Sequence, residues 1–319
     1  MRIDPLAKRQ IAFRKMNGLG NDFIIVDARQ GSLGLMPPDI ARIATRATGI
    51  GCDQFIALLP GKDGSDVFMR IFNPDGSEAG ACGNATRCVA DILAEESGKK
   101  DVTVETIAGK LPSHVNDDGT VSVDMGAPRL KWDEIPLTEE FRDTRGIELQ
   151  VGPIDAPVLH TPAVCNMGNP HAVFFTDDVD AHDLAAIGPI LENHPMFPER
   201  ANISIAEVAG KNEIRVKVWE RSAGLTLACG SAACAVAVSA ARKRLTGRKV
   251  TVRLPGGPLQ IEWRESDDHV IMTGPVTYDY EALIPERLLP EVVACAAASS
   301  KPARASSPSA AVSTPTSPS

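Results

Sequence analysis

The sequence predicts an α+β fold assembled from two related halves, and three observations carry that expectation. Ten residues are echoed: residues 81–90 read ACGNATRCVA and residues 228–237 read ACGSAACAVA, agreeing at Ala, Cys, Gly, Ala, Val and Ala. Polar positions recur at nearly one offset, with Cys82–Cys229 and Asn73–Glu220 separated by 147 residues and Asn21–Asn169 and Gln54–Asn202 by 148. Short strand-like runs outnumber helical ones, and their order in the first half returns in the second. Two homologous halves related by a pseudo-twofold follow, with a boundary near Pro128.

The elements can be justified in order. After a leader of alternating charge to Gln10, a strand begins near Ile11 and resumes at Phe23 beyond the turn-forming run Asn17, Gly18, Leu19, Gly20, Asn21, Asp22. Pro37, Pro38 and Asp39 open a helix whose Ile40, Ile43, Ala44 and Ala47 share a face, and Gly49 to Gly51 close it. Residues 53–59 and 67–73 read as strands. Residues 82–98 carry Ala85, Cys88, Val89, Ile92 and Leu93 at helical spacing, stopped by Gly98 and two lysines. Strands are expected at 102–107, 111–115 and 121–125, the last two joined at Asp117, Asp118 and Gly119.

The second half repeats this order: a strand at 173–175, a helix at 184–193, strands at 203–208 and 214–219, and a helix at 229–245 so apolar that it should lie enclosed. Strands at 249–254, 259–264 and 270–272 complete it, with Pro255, Gly256 and Gly257 as a turn. The expected division is 12–127, completed by about 275–290, then 128–274. From 296 to 319 the chain is mostly Ala, Ser, Pro and Thr, too poor in large apolar residues to fold, and reads as a disordered tail.

Whole-chain properties narrow the function. The 319 residues carry a net charge of −8, which argues against nucleic acid or an anionic membrane as partner. The most apolar run, 225–241, is too short to span a bilayer comfortably. Seven cysteines, an odd number, stand at 52, 82, 88, 165, 229, 234 and 295. No secretion signal opens the chain, so a cytoplasmic protein with reduced thiols is expected.

Cys82 and Cys229 are the chemical candidates. A cysteine at a helix N-terminus faces unpaired N–H groups and the positive end of the dipole, a setting that lowers a thiol pKa from about 8.5 to between about 3.5 and 7.5. The N–H groups of Gly83, Asn84, Gly230 and Ser231 suit a carboxylate. Two such helix starts, related by a twofold, would grip one carboxylate and place thiols on opposite faces of the neighbouring carbon. One would remove the α-proton and the other return one, while the helix ends stabilise the developing enediolate charge. Cys88, Cys165 and Cys234 read as core residues, and Cys52 and Cys295 as bystanders. No C-x-x-C pair occurs and the histidines are scattered, so no metal site is expected, although zinc binding or dithiol redox chemistry stands as the rival class.

The motifs that surround these cysteines resemble the diaminopimelate epimerase family of cofactor-independent amino-acid racemases. They are MNGLGNDF at 16–23, GCDQ at 51–54, FNPDGSEAGACGNATRC at 72–88, MGNPHAV at 167–173, PERANI at 198–203 and WERSAGLTLACGSAAC at 219–234. The resemblance implies two pseudo-symmetric domains, each a barrel-like, mostly antiparallel sheet around a central helix, with the active site in the cleft between them. It implies interconversion of LL- and meso-diaminopimelate, a step toward lysine and cell-wall precursors, with no pyridoxal phosphate or other cofactor and no metal. Cys82 and Cys229 take the acid and base roles, with His171 and Glu220 beside them. Asn73, Asn169, Asn202 and Arg221 would grip the distal end of the substrate, with Glu220 suited to an ammonium and Asn21 and Gln54 completing the lining. A homodimer is also implied.

Three positions depart from the commonest family pattern: Leu225 where glutamate is frequent, Ser222 where glycine is frequent, and Cys52. A racemase of another amino acid, such as proline, hydroxyproline or histidine, is the alternative within the wider group. The polar and charged lining argues against a substrate without a second carboxylate.

Overall fold

The computed structural model describes residues 10–290; the leader before them, Cys295 and the expected tail at 296–319 lie outside the described residues. β1 (Ala12–Gly18) and β2 (Asn21–Asp27) form a hairpin in which Gly18 faces Asn21. Leu19 and Gly20 make its two-residue turn, with φ of 59° and 82°. Such a turn needs left-handed backbone at both positions, which glycine accepts freely and leucine only under strain.

α1 (Pro37–Ala44) begins on prolines and is closed at its N-terminus by Asp39, whose carboxylate accepts from the Met36 N–H at 3.0 Å. Ile40, Ile43 and Ala44 are buried as their spacing predicts. The helix ends earlier than expected and leaves Ala47 exposed. The N–H groups of Ile50 and Gly51 return to the carbonyl of Ile43, and that of Cys52 to Ala44. Those carbonyls are thereby satisfied without a further helical turn.

β3 (Gln54–Pro60) runs parallel to β2, with Phe23 opposite Gln54, and antiparallel to β4 (Val67–Phe72), which also pairs with the short β5 (Glu78–Ala79). α2 (Gly83–Ser97) follows, then β6 (Asp101–Thr106) parallel to β4, and the antiparallel β7 (Gly109–Val115) and β8 (Val121–Asp124).

After a small two-stranded sheet of β9 (Gln150–Val151) and β10 (Leu159–His160), the order returns. β11 (Ala163–Asn166) and β12 (Pro170–Phe175) stand where β1 and β2 stood. Beyond α3 (Leu184–Glu192), β13 (Asn202–Gly210) is parallel to β12 and antiparallel to β14 (Glu213–Glu220), which pairs with β15 (Gly224–Thr226). His171 faces Asn202 as Phe23 faces Gln54. Next come α4 (Gly230–Arg242), β16 (Lys249–Leu254) parallel to β14, and the antiparallel β17 (Gly257–Trp263) and β18 (Val270–Gly274). β8 pairs with β18, joining the halves. A strand that sequence reasoning did not assign, β19 (Thr277–Leu283), then crosses back to pair with β1.

Each half therefore wraps its sheet around one helix, which is the expected α+β architecture. α2 packs against β1 from one side and β6, β7 and β8 from the other; α4 packs against β11 to β14 and β16 to β18. Enclosure explains their composition. α4 buries an unbroken run from Ala232 to Ala240, and small side chains let the surrounding strands approach a central helix closely. Val89, Val236 and Val238 are fully buried, each contributing about 1.5–3 kcal/mol of apolar transfer. Cys88, Cys165 and Cys234 are fully buried core residues, as expected, and Cys52 is buried too. Among the described residues, no helix is long and apolar enough to cross a membrane.

Candidate active site

Cys82 and Cys229 are the N-cap residues of α2 and α4, both in extended backbone (φ −152° and −130°). The two helix starts meet. Asn84 in the first turn of α2 donates its Nδ2 to the carbonyl of Ala228, the residue before Cys229, at 3.1 Å. Met272 of β18 lies against both. A Cβ added at Gly83 would stand 2.8 Å from its Cε, and one added at Gly230 would stand 2.7 Å from its Sδ. The glycine after each cysteine lets both helix starts pack closely on one thioether, a reason additional to room for an anion.

Around Cys82, the Ala85 N–H donates to Sγ at 3.4 Å and the thiol points to Asn21 Oδ1 at 3.9 Å. Asn21 also accepts from Asn84 Nδ2 at 3.2 Å and donates to Asp53 at 3.1 Å. Asp53 is held by Arg46, which also pairs with Asp22, itself bonded to Lys15. Sequence reasoning missed this ion cluster behind Asn21. Its only sequence signal is that Asp22 and Asp53 flank residues already singled out.

Around Cys229, Sγ lies 3.6 Å from Ser231 Oγ, and the Glu220 carboxylate acts on the thiol electrostatically. Thr226 donates to Glu220 at 2.5 Å. Burial holds the Glu220 carboxyl above its usual range. The charge of Glu220 acts on both thiols.

The expectation of lowered thiol pKa values is not met. Burial pushes Cys82 up to about 11, with the Glu220 charge adding to the rise and the Ala85 N–H opposing it. Cys229 is raised well above the ordinary thiol range by burial and by Glu220. The helix N-termini are present, but desolvation disfavours the thiolate more than they favour it. At neutral pH both thiols are protonated in this arrangement, in which Cys229 is only 4 % exposed.

A third group gathers on β12, β13 and β14. His171 is fully buried, and its Nε2 bonds Asn169 Oδ1 at 2.7 Å. That bond fixes Nε2 as the protonated nitrogen and leaves Nδ1, which has no partner, as a bare acceptor. Burial, reinforced by the Arg221 charge, pushes its pKa down to about 3, so the ring is neutral. Asn202 donates to the Pro170 carbonyl at 3.2 Å and accepts from the Arg221 N–H at 2.9 Å. Arg221 in turn donates to the Glu199 carbonyl. Glu192, buried and unremarked from sequence, accepts from Trp219, Arg200 and the Ser222 N–H, which anchors the loop that presents Arg221.

Gln54 keeps a buried Oε1 with no partner. Asn73 follows β4 as Glu220 ends β14, but its bonds are local: its side chain donates to Ser77 Oγ at 3.1 Å. Among the described residues no hydrogen bond ties it to the cysteine cluster. Two open surface depressions, of about 550 and about 510 Å³, contain none of these residues. Among the described residues no cluster of side chains suits a metal ion.

Comparison with known proteins matches residues 13–131 and 163–278 to the family model described as diaminopimelate epimerase. The chain belongs to the diaminopimelate epimerase family. It is 56% identical over 274 residues to a diaminopimelate epimerase of Afipia carboxidovorans, covering 85% of this chain and 94% of that one. It is 54% identical over 277 residues to that of Rhizobium meliloti, covering 86% and 92%. The fold is shared more widely: a PhzF-family phenazine biosynthesis protein of Bacillus anthracis superposes with a TM-score of 0.61 at 17% identity, over 87% of this chain and 99% of that one. A diaminopimelate epimerase is an isomerase acting on a small amino acid, and the polar cluster described above belongs to an enzyme of that kind.

Proposed function

We propose that this diaminopimelate epimerase inverts the α-carbon of its substrate by a two-base mechanism with Cys82 and Cys229 on opposite faces. The sulfur on one side, as thiolate, takes the α-proton and becomes a thiol. The C–H electron pair passes into the carboxylate, giving an enediolate-like anion held by the N–H groups of Gly83, Asn84, Gly230 and Ser231. The opposite thiol then delivers its proton to the other face and is left as the thiolate. Direction depends on which enantiomer enters, since the roles exchange with each turnover.

The observation that carries this reading is the junction of the two helix starts, bonded through Asn84 and Ala228 and packed on Met272. Glu220, whose charge acts on Cys229, would receive the Cys229 proton, and the unpartnered Nδ1 of His171 would serve as a second acceptor if it stands beside the thiols as the family resemblance implies. Arg221, Asn202 and Asn169 would take the distal carboxylate and Glu220 would face a substrate ammonium; Gln54 offers an unused acceptor, and Asn73 would join only on closure. The raised thiols assign a role to substrate: its ammonium and the displaced water change the balance at the sulfurs when the cleft closes. The same reading takes the working enzyme as a cytoplasmic homodimer. β19 supports the dimer, because all seven of its residues are exposed, with Tyr278 and Tyr280 among them, on an edge suited to pairing.

Incubating LL-diaminopimelate with the purified protein in deuterium oxide tests the mechanism. The meso product should carry solvent deuterium at the inverted carbon in cofactor-free protein. Inversion with full retention of the original hydrogen would exclude exchange through two protic bases, and dithiol turnover without inversion would favour the redox alternative.

A further inference from the structure

Arg87 heads the large side chains that the fold buries completely. It lies one turn beyond Asn84 on α2, and no functional role has been assigned to it above. Its guanidinium donates Nη1 to Asn84 Oδ1 at 3.0 Å and to Met272 Sδ at 3.6 Å, and Nε to the Pro275 carbonyl at 3.3 Å. Nη2 has no partner. Among the described residues no carboxylate pairs with it. Glycines make the slot: a Cβ at Gly18 would stand 2.8 Å from Nη2, and one at Gly274 would stand 3.3 Å from Cζ.

An arginine cannot shed its charge at working pH, and burying a cation without a counterion is strongly unfavourable. A fold that accepts this cost beside its two helix starts invites a functional account. We infer that Arg87 is a positioning residue of the epimerase, fixing the Asn84 amide that aligns the two cysteine-bearing helix starts and supplying positive charge that favours the anionic site. This inference rests on the two-thiol reading.

The geometry supports both parts. An amide has two faces, and only one orientation lets Asn84 serve its neighbours, since Nδ2 must face the carbonyl oxygens of Ala228 and Asn21. Arg87 selects it by claiming Oδ1, because a flipped amide would set N–H against guanidinium and oxygen against oxygen. The guanidinium also touches Met272, on which Gly83 and Gly230 both rest, so it supports the junction from two sides. The titratable groups around it are Cys82 and Cys88 on its own helix and Cys234 on α4. Glu220 on β14 faces Cys82 and Cys229, and Asp53 faces Glu220. Arg87 is the positive group that acts on Cys82 from within this set, opposing Glu220.

The test uses the full chain with Arg87→Met and Arg87→Lys. Site-resolved alkylation of Cys82 by iodoacetamide is followed against pH, alongside kcat/KM for LL-diaminopimelate and thermal unfolding. Arg87→Met should move the onset of Cys82 alkylation up by about one pH unit and lower kcat/KM about 100-fold. Arg87→Lys keeps the charge but lacks the planar fork. It should retain the alkylation profile while still losing at least about tenfold in kcat/KM. An Arg87→Met protein with an unmoved profile overturns the inference, whatever its melting temperature, because a purely structural role predicts that result. If Arg87→Met fails to fold, Arg87→Lys decides: full activity overturns the positioning role, and lost activity with an unmoved profile supports it. Alkylation is read without substrate, so a shifted profile in protein that does not epimerise would sink the two-thiol reading and leave the role of Arg87 standing.

Discussion

Asn84 Nδ2 lies 3.1 Å from the carbonyl oxygen of Ala228, so a side chain in the first turn of α2 is bonded to the residue that introduces Cys229. The two residues are 144 apart in the chain, and their bond ties one cysteine-bearing helix start to the other. Asn84→Ala removes this link together with the bonds to Asn21 and Arg87. It leaves a buried guanidinium nitrogen and a carbonyl with fewer partners. Stability should fall by about 1–3 kcal/mol, read from denaturant midpoints. A misalignment of the thiols should lower kcat/KM about 100-fold; a variant with near-normal turnover would show that the link is not what aligns them.

On the proposed two-base scheme, serine in place of either thiol removes the acid or base at one face. Cys82→Ser and Cys229→Ser should each lower epimerisation by about 10²–10⁴-fold or more, because a hydroxyl neither ionises nor donates as a thiol does. Each variant keeps one intact thiol, so wash-out of the α-hydrogen from one enantiomer can outlast inversion. Chiral analysis beside hydrogen exchange, for both enantiomers, separates these events. Near-full inversion by either variant would refute the two-base scheme.

Glu220 raises both thiols by its negative charge. Removing that charge in Glu220→Gln should therefore move the onset of Cys82 alkylation to lower pH, opposite in sign to the loss of Arg87. Activity should nevertheless fall, since the Cys229 thiol loses its proton acceptor. The pH profile of iodoacetamide labelling, compared with kcat in the same protein, distinguishes this from simple damage. An onset moved upward would mean that Glu220 acts on Cys82 through structure and not through charge.

His171 gives the stability of the fold a pH dependence whose sign can be worked out. Its folded-state pKa is about 3, below the ordinary value of 6.5, so between these pH values the unfolded chain binds the extra proton. Stability must then fall as pH drops from about 6.5 toward 3, at up to about 1.4 kcal/mol per pH unit. His171→Gln should flatten this part of the curve. Asp22, held at about 2 by Arg46 and Lys15 against the opposing effect of burial, adds stability that is present above its ordinary 3.8 and lost as pH falls toward 2. Carboxyls such as Glu220, held above its ordinary 4.5, also titrate as pH falls but are common to both proteins. The difference in urea midpoints between wild type and His171→Gln therefore isolates the histidine, and an unchanged slope in the variant would contradict its assignment as a buried neutral ring.

Much of this arrangement was legible because it is written twice. The helices at Gly83 and Gly230 announce themselves by a repeated cysteine, glycine and small-residue start, and the 148-residue offset reappears as strand register, with Phe23 facing Gln54 and His171 facing Asn202. What escaped sequence reasoning depends on groups far apart in the chain. Glu220 and burial reverse the thiol shift that a helix N-terminus alone predicts, and neither enclosure nor a returning carboxylate is visible in ten residues of motif. Arg87 reads as an ordinary polar position on an amphipathic helix until the sheet is known to surround it. β19 alternates Tyr278, Tyr280 and Ala282 with Thr277, Asp279 and Glu281, but all seven of its residues are exposed and its partner β1 lies 260 or more residues earlier, so no local core marks it.

Ser222 offers a test of local strain. Its φ is 67°, in the left-handed region that favours glycine. Its N–H is anchored on Glu192 Oε1 at 3.0 Å, so the loop holds the residue there. A left-handed non-glycine residue costs about 1–2 kcal/mol, and glycine returns about 0.5–1 kcal/mol of that through greater freedom in the unfolded chain. Ser222→Gly should therefore stabilise the protein by roughly 0.5–1 kcal/mol, a rise of a few degrees in Tm. Since Arg221 is the preceding residue and its N–H bonds Asn202, KM should stay within about twofold if the loop geometry is retained. A lowered Tm would show that the Ser222 side chain contributes a contact worth more than the strain, and a raised KM at unchanged kcat would show that this position tunes how Arg221 is presented to the distal end of the substrate.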